Sequence, residues 1–230
     1  MSVWYCIPSA RPLAEAQVCL REWNQLGYKV AAWRDYDADV CGSLVMTGGI
    51  LYPGYARATN GLIAAAMRFD PAANIFVVGG DDIFPDLAHN PETVEREFFE
   101  HFGGTYGVMQ PTGDRWGSDP KQPNYAGSAY ADRVASSAWI GREFCERAYN
   151  GNGPLWPEYF HMFVDEELQA VAEMLGVFWQ RPDITQMHRH WAREGKPMPE
   201  FLTAANSPQH WNKYKALFES RKAAGFPCVR

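Results

Sequence analysis

The sequence predicts an α/β fold: a mostly parallel central sheet flanked by helices. Two observations carry this. Short runs rich in β-branched and aromatic residues alternate with longer segments of helical period, in the order strand, helix, strand, helix, strand. The run Asn74-Ile75-Phe76-Val77-Val78 is apolar without alternation, as a strand covered on both faces must be. Parallel neighbours joined in this way require right-handed crossovers.

Each element follows from local pattern. Residues 3–7 form the first strand, ended by Pro8-Ser9-Ala10-Arg11. Residues 12–26 carry Leu13, Ala16, Leu20 and Trp23 on one helical face, and Gly27 closes that helix. Residues 28–33 form the second strand, which runs into Arg34-Asp35-Tyr36-Asp37. Residues 54–60 open a helix that continues through Met67 and breaks at Asp70-Pro71-Ala72. The strand at 74–78 then stops at Gly79-Gly80. Residues 102–131 are rich in Gly, Pro, Tyr, Asp and Ser and read as a long binding loop. Residues 138–149 read as a helix, 150–154 as a turn, 164–175 as an acid-led helix stopped by Gly176, and 177–180 as the last strand. Beyond the polar segment 181–190, residues 207–223 form an amphipathic helix with Trp211, Tyr214 and Phe218 on one side.

Composition narrows the function. With 47% hydrophobic and 21% charged residues the chain fills a core and is not disordered. A net charge of −6 gives no basic footprint for duplex nucleic acid. No apolar run reaches membrane-spanning length and no signal peptide opens the chain, so a cytoplasmic location without membrane association is expected. Cys6, Cys19, Cys41, Cys145 and Cys228 are scattered and lack CxxC spacing, which reads as reduced thiols. No GxxxxGK[ST], GxGxxG, GxSxG or kinase signature is present.

The best chemical clue is Gly79-Gly80-Asp81-Asp82. The glycines let a ligand approach the backbone at the strand's carboxyl end, where open α/β sheets place ligands. Two adjacent carboxylates repel unless a cation lies between them, and a hard divalent ion there would hold phosphates. The plainer alternative is a turn in which Asp caps the following segment, with Asp86 as a cap or a supporting group. Asp165-Glu166-Glu167 open a helix, where the dipole alone favours acids, but a carboxylate facing a cleft there also serves as a general base. His161 precedes them among aromatics. His188 and His190 share one face of an extended segment, and either imidazole suits a transition metal such as Mn²⁺, against the alternative of a surface pair. Arg57 near a helix start is placed to meet a diphosphate, and Asn60 a base or ribose, against a solvated helix face. Asp35 and Asp37 stand where nucleotide-binding folds put a ribose- or base-contacting acid.

In this order the parts resemble a GT-A type nucleotide-sugar glycosyltransferase, close to the large inverting family that builds polysaccharides. Ile7-Pro8-Ser9-Ala10-Arg11 resembles the opening that lies along the nucleotide, and residues 54–63 the family's Asn-bearing helix. Val78-Gly79-Gly80-Asp81-Asp82 resembles the Asp-x-Asp region, with Gly80 at the first Asp and Asp82 therefore the expected ligand. Val164-Asp165-Glu166-Glu167-Leu168 resembles the acid-Asp-x-x-Leu segment, which makes Asp165 the base, although Val164 replaces the preceding acid. The resemblance spans residues 3–191. It implies one GT-A domain over 1–230: a nucleotide-sugar half (1–101), an acceptor and catalytic half with a loop-rich acceptor region (102–191), and a helical tail (192–230). It implies Mn²⁺ or Mg²⁺ on Asp82 with His188 or His190, and donor contacts from Pro8, Ser9, Arg11, Asp35, Arg57, Asn60, Gly80 and Asp81. It implies acceptor contacts from Trp139, Gly141, Arg142, Trp156 and His161, with core packing the alternative for both Trp. The donor is a nucleotide-diphosphate sugar. The acceptor stays open among a small molecule, a glycan, a protein and, as for compact phage transferases, a hydroxymethylated pyrimidine of DNA; no stable protein partner is implied. A sugar-phosphate nucleotidyltransferase is the nearest rival, but residues 8–11 lack its Gly and Lys. A catalytically inactive nucleotide-binding module is the other.

Overall fold

The computed structural model describes residues 2–35, 42–48, 52–123, 125–130 and 133–227. Asp37, Cys41 and Cys228 lie outside them. A seven-stranded sheet organises the chain. Its strands are β1 (Ser2–Ser9), β2 (Lys29–Arg34), β3 (Leu44–Thr47), β4 (Ala73–Val78), β6 (Val108–Pro111), β7 (Trp139–Gly141) and β8 (Phe178–Arg181). They run in the order β3-β2-β1-β4-β7-β6-β8. All neighbouring pairs are parallel except those of β7, which is antiparallel to both β4 and β6. A separate antiparallel pair joins β5 (Ile83–Phe84) to β9 (Met187–His188).

The alternation of side chains along β1 builds two cores. Val3, Tyr5 and Ile7 face one side with Trp23 of α1 (Leu13–Gln25) and Phe98 of α3 (Pro91–Phe102). Trp4 and Cys6 face the other with Leu62 and Ile63 of α2 (Tyr55–Phe69), Phe144 of α4 (Arg142–Arg147), Leu168 of α5 (Val164–Met174) and Tyr214 of α7 (Pro208–Ala223). Helices therefore cover both faces, the arrangement that a continuous apolar strand demands. The helix ends obey local rules. Asn90 caps α3 by accepting from the Thr93 amide at 2.8 Å, and Ser207 caps α7. Gly27 follows α1 with φ of +96°, a backbone state that favours glycine.

Three expectations are corrected. Residues 138–149 are not one helix. Trp139, Ile140 and Gly141 form β7, because Trp139 and Ile140 are buried in opposite cores and Gly141 runs against the Thr105 carbonyl, where a Cβ would not fit. The segment expected to be a long loop contains β6, β8 is not the last strand because β9 follows it, and β3, β5, β9 and α3 were not anticipated. Cys6, Cys19 and Cys145 are buried free thiols. Among the described residues no helix is long and apolar enough to cross a membrane.

Candidate active site

The carboxyl ends of β1, β2 and β4 open onto a cleft of about 570 Å³. Pro8, Ser9, Arg11, Asp35, Gly80, Asp81 and Asp82 line it from the sheet side. His161, Asp165 and Glu166 line it from the approach to α5 and its first turn, and His188 and His190 from the segment around β9.

At the sheet end one guanidinium spans both acids. Arg11 Nε donates to Asp81 Oδ1 at 2.7 Å and Nη2 to Asp82 Oδ2 at 2.6 Å. Asp81 Oδ2 also accepts from Ser9 Oγ at 2.6 Å. The β5–β9 pairing sets Ile83 opposite His188, and the Arg189 amide donates to the Asp82 carbonyl at 2.8 Å. That register brings His188 Nε2 to 3.3 Å from Asp82 Oδ1. Burial opposes the charge on Asp82, but His188 and Arg11 outweigh it and hold the carboxyl at about 2. Burial dominates at Asp81, whose carboxyl is raised despite Arg11. Burial and the neighbouring His188 bring His190 down to about 4. A Cβ on Gly80 would stand 2.7 Å from Asp82 Oδ1, so a larger residue there would push the Asp82 carboxylate from its place facing His188.

These donors fit a cation that its ligand completes. Asp82 and His188 face each other with an oxygen and a nitrogen, and His188 Nδ1 is buried without a hydrogen-bond partner among the described residues. His190 instead uses Nδ1 to accept the Ala192 amide at 3.3 Å. Among the described residues no three His, Cys, Asp or Glu converge as an all-protein metal cage. Asp82 with His188 is therefore a two-donor seat, which suits ions that keep substrate phosphates as ligands.

At the other end, Asp165 and Glu166 occupy the first turn of α5. Burial first, then the charge of Asp165 and a hydrogen bond to it, push the Glu166 carboxyl up to about 10, so it is protonated at neutral pH. His161 feels both Asp165 and Asp82, and burial lowers its pKa, which keeps the imidazole neutral. Asp35 stands at the mouth of β2, its carboxyl raised by burial against the pull of Arg34.

Arg57, Asn60, Trp139, Arg142 and Trp156 do not line the cleft. Asn60 donates to the Asn152 and Leu155 carbonyls at 2.9 and 2.7 Å and accepts the Leu155 amide, so it staples a turn. Arg57 donates to the Pro157 carbonyl from an exposed position. Trp139 is a core residue whose Nε1 donates to Gln186. Arg142 binds the Pro71 and Ala73 carbonyls and Glu146. Trp156 packs under the Arg221 guanidinium, 3.6 Å from the ring centroid. Glu167 also has a role beyond the helix dipole. It is fully buried and accepts from Arg221, Tyr149 and Tyr159 at 2.7 to 3.0 Å. Asp86 accepts the Thr185 amide at 2.6 Å and so fixes the segment that leads to His188.

Sequence reasoning missed Trp116, whose ring lies 4.1 Å from that of His188 and 4.7 Å from that of His190. It also missed Asp114, which holds Arg193 at 2.7 Å and accepts the His188 amide at 3.3 Å. Tyr52, Tyr55, Tyr130, Phe201 and Trp211 complete an aromatic wall. The only signal was the 14% aromatic content, which does not say which rings meet.

No protein-family model matches the chain, and no curated protein matches it significantly. Among solved structures it is similar to Drosophila β1,4-galactosyltransferase 7, crystallised as a point variant with manganese, UDP-galactose and xylobiose. The identity is 11% over 90% of this chain and 80% of that one, with a TM-score of 0.45. It is also similar to a glycosyltransferase involved in glycosylation of the major capsid of PBCV-1, at 11% identity over 79% of this chain and 82% of that one, with a TM-score of 0.40.

Proposed function

We propose that this chain is a GT-A type glycosyltransferase that moves a sugar from a nucleotide diphosphate to an acceptor hydroxyl with inversion. The observation that carries the reading is one cleft with a cation-holding end at Asp82 and His188 and a carboxylate at the start of α5. Mn²⁺ or Mg²⁺ held by Asp82 and His188 would neutralise the departing diphosphate. Asp82 and His188 would hold the ion, His188 being favoured over His190 because its Nε2 faces the carboxylate. Arg11 turns from the acids to the diphosphate oxygens, and Ser9 and Asp81 keep that end of the cleft in register. Asp35 meets the ribose or base, and Pro8 and Gly80 let the nucleotide lie close to the backbone. Asp165 takes the acceptor hydroxyl's proton as its oxygen bonds to the anomeric carbon and the bond to the diphosphate breaks on the opposite face. Asp165 stands in the first turn of α5, and neutral His161 lies beside its path. The whole chain acts as one such domain.

The test is release of nucleoside diphosphate from a panel of UDP-, GDP-, ADP- and TDP-sugars with Mn²⁺, Mg²⁺ or chelator. Metal-dependent release from at least one donor is expected. Pyrophosphate release from a nucleoside triphosphate and a sugar phosphate would instead identify a nucleotidyltransferase. Tight nucleotide binding that ignores metal, with no release, would identify a binding module.

A further inference from the structure

We infer that α7 is the acceptor platform and that the acceptor is a neutral saccharide lying on the ring of Trp211; this deepens the glycosyl-transfer reading and rests on it. Trp211 lines the cleft yet remains 46% exposed, and Phe201 on the same wall is 42% exposed. Large apolar side chains left open in a concave site mark a place where something else covers them. The Trp211 ring packs 4.9 Å from that of Phe163, the residue before α5 and two before Asp165. A ring stacked on Trp211 is thereby delivered to Asp165.

The position of α7 is fixed independently. Arg221 near its end makes a buried bidentate pair with Glu167 of α5, and Tyr159 and Tyr149 complete the shell around that carboxylate. Such a pair adds little net stability over an apolar isostere, but separating its two helices would leave a charge buried without its partner, which is costly. The platform helix and the helix of the candidate base are therefore tied together at Arg221 and Glu167.

Charge selects among acceptors. Asp35, Asp81, Asp82 and Asp165 line the cleft beside the protonated Glu166, and Arg11 is the one Lys or Arg in the described lining, already bound to two of the acids. Arg133, over the Tyr130 ring, flanks the rim from outside that lining. A polyanion finds little to bind here. A pyranose offers a C–H face to the indole and hydroxyl donors to the carboxylates.

Saturation-transfer NMR with cellobiose, maltose, lactose and xylobiose, set beside a short single-stranded oligonucleotide, tests this. At least one disaccharide gives signal and the oligonucleotide gives none. Trp211→Ala weakens disaccharide binding at least about tenfold, the loss of one stacking contact. Trp211→Tyr restores most of it, and Leu87→Ala on the exposed surface keeps it all. Oligonucleotide binding, or a Trp211→Ala protein that binds the disaccharide as the parent does, overturns the platform. Silence from every saccharide while a nucleotide sugar is turned over overturns it too and leaves glycosyl transfer standing. Trp211-dependent saccharide binding with no nucleotide-sugar binding keeps the platform and sinks the transfer reading.

Discussion

Two pairs of adjacent acids share this cleft and are kept in opposite ways. Asp81 and Asp82 at the end of β4 are spanned by Arg11 and faced by His188, and Asp82 stays charged although buried. Among the described residues no ion pair holds Asp165 or Glu166 at the start of α5, and Glu166 takes up a proton instead. Repulsion between neighbouring carboxylates is removed by a counter-ion or by a proton. The choice matters chemically. The counter-ion end can exchange its guanidinium for another cation and hold phosphate, whereas the proton end can only exchange protons. The sugar-transfer reading assigns each end the task its electrostatics allow.

The sharpest way to break the comparison is to remove the proton-exchanging end. Asp165→Asn should lower turnover about 10²- to 10⁴-fold, with metal dependence intact, because general-base assistance is worth that much. Unchanged turnover would remove Asp165 from the base role. Next in size is the pair that carries the proton end. Arg221→Met leaves Glu167 charged and buried with two tyrosine hydroxyls, and should cost about 3–5 kcal/mol in chemical denaturation. Glu167→Gln added to it should recover part of that loss. A cost under about 1 kcal/mol would mean that the pair is solvated like a surface bridge.

The same contrast explains what was legible in the sequence. The counter-ion end was readable because it is local: strand, two glycines and two acids follow one another at 74–82, and the strand's carboxyl end fixes where they point. The place of Arg11 in the cleft follows for the same reason, as a residue just past β1, but its ion pairs with Asp81 and Asp82 were not foreseen. Asn60, Trp139, Arg142 and Trp156 were not readable, because their roles depend on distant partners, from 47 residues away for Trp139 with Gln186 to 95 for Asn60 with the Leu155 backbone. Glu167 looked like one more acid at a helix start, and only the return of α7 across α5 shows its Arg221 partner, 54 residues later. The fold survived these errors since its parallel core rests on strand–helix alternation. β7 was lost because a three-residue antiparallel insertion carries no periodicity of its own.

A milder test exchanges the counter-ion itself. Arg11→Gln leaves Asp81 and Asp82 without their shared guanidinium, so the acids should seek another cation. Calorimetry without nucleotide should show Mn²⁺ bound at least about tenfold more tightly than by the parent, the scale of a charge-assisted contact no longer in competition. Nucleoside diphosphate affinity should fall at the same time. Mn²⁺ affinity that does not change would mean Arg11 and the metal occupy different places.

A last test separates the two ends by pH. Glu166 is an ordinary carboxyl near 4.5 when unfolded and is raised to about 10 when folded. Above 4.5 the folded chain therefore binds more protons than the unfolded one, and stability falls as pH rises through that window. Asp82 has the opposite sign. Its folded pKa of about 2 lies below the ordinary 3.8, so its contribution is present above 3.8 and is lost as pH falls toward 2. Glu166→Gln keeps a neutral hydrogen-bonding group and should leave the acid limb untouched. It should flatten the alkaline limb, so the variant is more stable than the parent at about pH 9 and within about 0.5 kcal/mol of it at about pH 5. Denaturation midpoints across pH measure this. An alkaline slope identical to the parent's would show that Glu166 is ionised in the folded chain, and the contrast between the two acid pairs would fail.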